Sequence, residues 1–154
     1  MKERTKQIWV DADSCPVKDI ITQEAARQHF GMNFVASYNH QLSISHPLAN
    51  VISVDTGFQS VDMYIINHVR AGDLVVTDDY GLACLVLEKG CLALGSRGKE
   101  YTKDNISFLL MNRYASQQIA KAGGKRKGPR PLTKEEIDNF RHNLRKVLRS
   151  LEGD

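Results

Sequence analysis

The stretch that decides the fold is Ile8-Trp9-Val10-Asp11-Ala12-Asp13, a short apolar run that ends in two carboxylates. Similar arrangements recur along the chain: residues 51–54 precede Asp55, a helical stretch opens at Asp62, and residues 74–77 precede Asp78 and Asp79. If the apolar runs are parallel strands, their carboxyl ends line one crevice, which is where open α/β sheets bind ligands. The sequence therefore predicts an acidic crevice.

Strand-like runs alternate with helical spacing throughout the first two thirds of the chain. Strands are predicted near residues 8–10, 33–38, 51–54, 74–77 and 91–94, with helical patterns between them. Pro16 favours a helix start, and Asp13 or Ser14 is the predicted N-cap. This alternation predicts an α/β fold with a mainly parallel sheet of four or five strands flanked by helices.

Several carboxylates in one crevice oppose one another's ionisation, because like charges at close range disfavour the charged form. A hard divalent cation removes that conflict, and Mg²⁺ or Mn²⁺ prefers oxygen ligands. In residue type the set matches metal-dependent phosphodiester hydrolysis. The predicted metal ligands are Asp11, Asp13, Asp62, Asp78 and Asp79, and all of them except Asp13 are also predicted to be catalytic.

Length and composition suit one compact domain with a C-terminal extension, since the chain has 154 residues and 42% hydrophobic content. Residues 1–120 are predicted to form the α/β domain, and residues 121–154 a basic Gly/Pro linker and an amphipathic helix. Thr133-Lys134-Glu135-Glu136 is a capping box that opens this helix. Its apolar face must pack on the domain or on another subunit, which leaves a homo-oligomer open.

The basic charge is concentrated at the C-terminal end, where residues 121–154 carry 10 Lys or Arg against 5 Asp or Glu. An acidic crevice beside a basic segment suits a nuclease that acts on RNA, because cations hold the phosphate backbone. A solvated basic helix is the plain alternative. The candidate phosphate-binding residues are Ser14, Arg97, Lys99, Lys125, Arg126, Lys127 and Arg130.

Other classes of protein find little support in the sequence. No apolar run approaches the ~20 residues of a membrane helix, and residues 1–7 lack the apolar region of a signal peptide. Three cysteines without a Cys-x-x-Cys pair argue against a disulfide framework, so we expect a cytoplasmic protein without a membrane partner. Cys15 is either a reactive thiolate at a helix start or a buried thiol. His40 and His46 lack a third ligand for zinc.

Four motifs resemble the YaiI/YqxD family of bacterial proteins over nearly the whole chain: Asp11-Ala-Asp-Ser-Cys-Pro-Val17, Asp55-Thr-Gly-Phe-Gln-Ser-Val-Asp62, Gly72-Asp-Leu-Val-Val-Thr-Asp-Asp79-Tyr-Gly-Leu-Ala83 and Gly128-Pro-Arg-Pro-Leu-Thr133. The resemblance implies a three-layer fold similar to the PIN-like nucleases, which are metal-dependent ribonucleases. Their acidic pattern maps onto Asp11, Asp62 and either Asp78 or Asp79, and assigns no counterpart to Asp13 and Asp55.

Two other functions stay open from the sequence. Asp11-x-Asp13 after a strand also resembles the haloacid-dehalogenase phosphatases, in which the first Asp is a nucleophile and the second an acid/base. A non-catalytic RNA-binding or regulatory protein would keep the same fold and the basic C-terminal segment.

Overall fold

The computed structural model describes residues 5–38, 42–56, 60–121 and 131–152, without the side chains of residues 116–121. One sheet in the order β3-β2-β1-β4-β5-β6 forms its centre. All pairs of neighbouring strands are parallel except β5 and β6. The strands are β1 (Gln7–Asp11), β2 (Gly31–Ser37), β3 (Ala49–Val54), β4 (Leu74–Val76), β5 (Leu92–Leu94) and β6 (Glu100–Tyr101).

Helices cover both faces of the sheet, which confirms the predicted three-layer α/β architecture. They are α1 (Lys18–Arg27), α2 (Val61–His68), α3 (Tyr80–Glu88), α4 (Lys103–Lys121) and α5 (Lys134–Glu152). Side chains on a strand alternate between faces, so Ile8 and Val10 pack with α1 and α5 while Trp9 packs with α2, α3 and α4. The sheet has six strands instead of four or five, because two-residue β6 carries no apolar run to reveal it.

The start of α1 differs from the sequence prediction. Val17 occupies the N-cap position, and no side chain caps the helix. Asp13 turns instead to the end of β2, where its Oδ1 accepts hydrogen bonds from the backbone N–H of Ser37 at 2.9 Å and from its hydroxyl at 3.3 Å. Ser14 is exposed. The predicted capping role of Asp13 or Ser14 is therefore wrong, because Asp13 binds across the sheet edge.

The C-terminal helix is built as its capping box predicts. The N–H of Glu136 donates to Thr133 Oγ1, and the N–H of Thr133 donates to Glu136 Oε1, both at 3.1 Å. The apolar face of α5 lies in the same core as β1, with Phe140, Leu144 and Leu148 fully buried. The helix thus covers one face of the sheet beside α1. Within the described residues, no helix is both long and apolar enough to cross a membrane.

Candidate active site at the carboxyl edge of the sheet

The strand order reverses between β1 and β4. From β1 the chain extends the sheet to β2 and β3 on one side, and β4, β5 and β6 continue it on the other. Open α/β sheets bind ligands at such a switch point, outside the carboxyl ends of the strands. Asp11 ends β1 and Thr77 follows β4, so both residues lie at this point.

Thr77 connects the two sides of the switch point. Its hydroxyl donates to Asp11 Oδ2 at 3.0 Å and accepts from the backbone N–H of Asp79, also at 3.0 Å. The side chain of Thr77 is buried. Because one hydroxyl serves both contacts, it fixes the Asp11 carboxylate relative to the turn that carries Asp79.

Asp11 lies in an environment that disfavours its charged form. Burial raises the pKa of this carboxyl to about 6, the hydrogen bond from Thr77 opposes that rise, and the negative charges of Asp79, Asp13 and Asp62 add to it. Three carboxylates therefore act electrostatically on Asp11. We call Asp11, Asp13, Asp62 and Asp79 the Asp11 group.

Backbone donors hold the other members of this group in place. Asp79 is the N-cap of α3 and accepts from the N–H groups of Gly81 at 2.9 Å and Leu82 at 3.3 Å. Asp62 lies in the first turn of α2, and its Oδ1 accepts from the N–H of Met63 at 3.0 Å. Asp13 is held by Ser37, as described above. The three carboxylates thus come from the start of α3, the first turn of α2 and the turn after β1, and the charge of each acts on Asp11.

Asp78 belongs to a neighbouring cluster. Its two oxygens accept from the backbone N–H of Ser96 at 2.8 Å and from the Ser96 hydroxyl at 2.5 Å. Burial and the charge of Asp78 raise the pKa of Tyr101, which keeps this phenol protonated. A Cβ on Gly95 would lie 2.5 Å from the Tyr101 hydroxyl, so only glycine leaves room for it. Asp78, Ser96 and Tyr101 form the Asp78 group.

Cys15 lies beside both groups without thiolate character. The residue is buried, and burial raises the pKa of its thiol to about 11, to which the charges of Asp78 and Asp11 contribute. The reactive-thiolate alternative is therefore wrong. Lys18, which the sequence did not single out, closes the loop after β1 by donating its Nζ to the carbonyl oxygens of Ala12 at 2.9 Å and Cys15 at 2.7 Å.

The predicted phosphate-binding residues have different surroundings. The guanidinium of Arg97 donates to both carboxylate oxygens of Glu136 at 2.9 Å, which joins the loop after β5 to α5. Ser14 and Lys99 are exposed. Lys125, Arg126, Lys127 and Arg130 lie outside the described residues.

Besides Lys18, a second cation near the site, Arg113, was not predicted from the sequence. The guanidinium of Arg113 lies 6.0 Å from the centroid of the Tyr80 ring, and Tyr80 directly follows Asp79. This places a positive charge of α4 against the side chain of the residue that follows Asp79. An isolated Arg in a helical pattern gave no signal for it, because the contact depends on how α4 packs against α3.

The donor chemistry of the Asp11 group suits a hard cation, since every side chain in it offers carboxylate oxygens. In the part of the chain that the structure describes, no three His, Cys, Asp or Glu side chains are already gathered into a set that could hold a metal ion. The group therefore fits Mg²⁺ or Mn²⁺ in ligand type without being a closed cage. Mg²⁺ commonly binds in this way, with water and substrate phosphate completing its coordination.

Comparison with known proteins finds relatives over nearly the full length of the chain. The model of the family described as "Uncharacterized BCR, YaiI/YqxD family" matches residues 9–150. A UPF0178 protein of Bacillus velezensis is 44% identical over 154 residues, which cover 99% of this chain and 91% of the relative. A UPF0178 protein of Bacillus mycoides is 41% identical over 143 residues, covering 92% and 98%. No solved structure matches the chain.

Proposed function

The chain belongs to the YaiI/YqxD family, and we propose that this member is a Mg²⁺- or Mn²⁺-dependent phosphodiesterase that cleaves RNA. The observation that carries the proposal is the largely buried carboxylate of Asp11 at the switch point of the sheet, on which the charges of Asp79, Asp13 and Asp62 act. The resemblance to PIN-like ribonucleases supports it, because they also place acidic residues at the carboxyl ends of their strands.

Asp11, Asp13, Asp62 and Asp79 would hold the cation together with the substrate phosphate. Bound there, the metal would supply Lewis-acid stabilisation of the phosphoryl oxygens and a more acidic water. The raised pKa of Asp11 means that burial and like charge oppose its ionisation, and a divalent cation offsets both. Because the described residues contain no closed set of ligands, the protein should bind the cation weakly alone and more tightly with phosphate present.

The protein groups around the carboxylates have separate roles in this proposal. Thr77 orients Asp11 through its hydroxyl, and the N–H groups at the start of α3 orient Asp79. The phenol of Tyr101 stays protonated because its pKa is raised, so it is available as a hydrogen-bond donor near Asp78. Asp78 remains a proposed member of the site through its position beside these groups.

The test is a cleavage assay on a short single-stranded RNA with Mn²⁺, with Mg²⁺ and with a chelator. Asp11→Asn keeps the size of the side chain and an oxygen that can accept the Thr77 hydrogen bond, but removes the charge. We expect it to lower the rate by about 10²-fold or more, and to weaken Mn²⁺ binding in titration calorimetry. Asp138→Asn, on the exposed surface of α5, is the matched control and should leave both unchanged.

Three results would contradict the proposal. Equal cleavage by the wild type and Asp11→Asn would assign the activity to a contaminant or to another site. RNA binding without metal-dependent cleavage would favour the RNA-binding alternative. Release of phosphate from a small phosphomonoester, blocked by beryllium fluoride, would favour a phosphatase with Asp11 as its nucleophile.

A further inference from the structure

The outer surface of α5 carries a row of cations away from the candidate active site. Arg141, Arg145 and Arg149 follow one another at intervals of one helical turn, and Lys146 lies beside them. Cations in the last turn of a helix stabilise its C-terminus, but here that explanation applies to Arg149 alone. Arg141 and Arg145 also pair with buried Glu24, and neither explanation covers Lys146.

The row continues onto the end of α1 and encloses two shallow cavities. One, of about 290 Å³, is lined by residues that include Arg27, Gln28, Arg145 and Arg149. The other, of about 340 Å³, is lined by His142, Arg145, Lys146 and Arg149. We call the surface formed by Arg27, Arg141, Arg145, Lys146 and Arg149 the basic face.

A buried amide oxygen and a buried carboxylate lie in and beneath the basic face. Gln28 Oε1, at the first cavity, is buried and has no hydrogen-bond partner among the described residues. Fully buried Glu24 accepts from Arg145 Nε at 2.9 Å and Nη2 at 2.7 Å, and from Arg141 at 3.4 Å. Because Glu24 lies beneath the surface, it orients two guanidinium groups without exposing a carboxylate to a ligand.

Among the described residues, one exposed carboxylate, Glu152, lines these two cavities, against four cations, Arg27, Arg145, Lys146 and Arg149. Such an excess of positive charge on one surface is the electrostatic footprint of a partner with a phosphate backbone. We propose that the basic face binds the sugar–phosphate backbone of RNA at a distance from the cleaved bond. The choice of RNA rests on the proposed function.

The length of α5 determines how long an RNA must be to reach both the candidate active site and the basic face. The helix begins at Lys134, and Glu136 in its first turn binds Arg97, the neighbour of the Ser96 that binds Asp78. From there α5 leads away from the carboxyl edge to Arg149, which lies beside Arg27 at the end of α1. From Glu136 to Arg149 it rises about 20 Å, at ~1.5 Å per residue. At ~3.4 Å per nucleotide of a stacked strand, an RNA needs about six nucleotides to span that distance. An RNA that contacts both the candidate active site and the basic face must therefore be longer than about six nucleotides.

The test compares two triple variants in RNA-binding titrations without divalent cation. Arg27→Gln/Lys146→Gln/Arg149→Gln removes three charges of the basic face and leaves the Glu24 ion pairs intact. Arg70→Gln/Lys89→Gln/Lys103→Gln removes three exposed charges that lie outside the basic face. For a 20-nucleotide RNA we expect the first variant to bind at least tenfold more weakly, with a salt slope reduced by about 2.

Equal affinity and equal salt slope for the two triple variants would overturn the inference, as would a wild type that does not bind the 20-nucleotide RNA. Loss of binding to anionic lipid vesicles, with RNA binding unchanged, would overturn it in favour of a membrane surface. Cleavage is measured separately. If the wild type cleaves RNA but the two triple variants bind RNA equally well, the inference fails and the proposed function stands. Weakened RNA binding in a protein that never cleaves leaves the inference standing and removes the phosphodiesterase.

Discussion

Asp11 occupies a position in which its charged form opposes folding. Its folded-state pKa of about 6 lies above the ordinary value of 3.8, so the folded protein holds this proton more tightly than the unfolded chain does. The associated stability is fully present below pH 4 and is lost as pH rises through 6. Above that, the charged carboxylate costs about 2–3 kcal/mol unless a cation offsets it.

Asp11→Asn should therefore stabilise the metal-free protein at neutral pH. Asn stays uncharged, so we expect the free energy of unfolding to rise by about 2–3 kcal/mol at pH 7, with the gain vanishing near pH 4. Urea unfolding at several pH values with a chelator present measures this, and Asp138→Asn serves as control. A variant that is less stable than the wild type at pH 7 would show that Asp11 is not under electrostatic strain.

The sequence reveals some residues of the site and hides others for a physical reason. Asp11 and Asp62 stand at a strand end and a helix start, and these positions are visible in the hydrophobic pattern. Thr77 is hidden, because it reads as the last residue of an apolar run. Its hydrogen bond to Asp11 joins residues 66 positions apart and depends on β1 and β4 being neighbours.

At the scale of elements, the sequence predicts the strands more readily than their order. The apolar runs locate five strands, but nothing in them states that β4 pairs with β1 instead of β3. That pairing decides which carboxylates meet. The pairing of β4 with β5 brings Ser96 beside the end of β4, so Asp78 turns to Ser96 while Asp79 caps α3.

Gly95, between β5 and the loop that carries Ser96, tests how tightly the Asp78 group is packed. An alanine Cβ would lie 2.5 Å from the Tyr101 hydroxyl and 3.1 Å from its Cζ, so the phenol would have to move. We expect Gly95→Ala to lower the free energy of unfolding by about 1–3 kcal/mol. Tyr101→Phe removes the nearest atom, so adding it to Gly95→Ala should cost less than the two separate effects together.

Gly31→Ala is the control for this cycle, because its Cβ would meet the Gln7 side chain only at an ordinary 3.8 Å. Chemical denaturation of the four proteins in the cycle gives the coupling energy. Strict additivity of Gly95→Ala and Tyr101→Phe would mean that the hydroxyl does not limit the space at Gly95.

At the scale of the whole molecule, α5 joins the predicted C-terminal segment, residues 121–154, to the α/β domain of residues 1–120. The sequence shows that the apolar face of α5 must be covered. It does not show what covers this face, because a helix that packs on a subunit interface and one that packs on its own domain have the same apolar pattern. The structure places Leu144 in one core with Ile8 and Val10 on β1. Trp9, from the same strand, lies in the core on the opposite face of the sheet. Both cores thus share one sheet.

If both faces of the sheet fold as one unit, a destabilising substitution in the core under α5 must also shift the unfolding transition that Trp9 reports. Leu144 is fully buried, so Leu144→Ala should lower the free energy of unfolding by about 3 kcal/mol. Leu85→Ala, at a side chain that is 51% exposed, should cost well under half of that. Helical circular dichroism reports on all helices, whereas fluorescence of the single tryptophan reports on the face away from α5. We expect both signals to shift to the same lower urea midpoint in Leu144→Ala, because a two-state domain gives coincident transitions. An unchanged Trp9 transition beside an early loss of helix signal would instead make α5 a separately folding attachment.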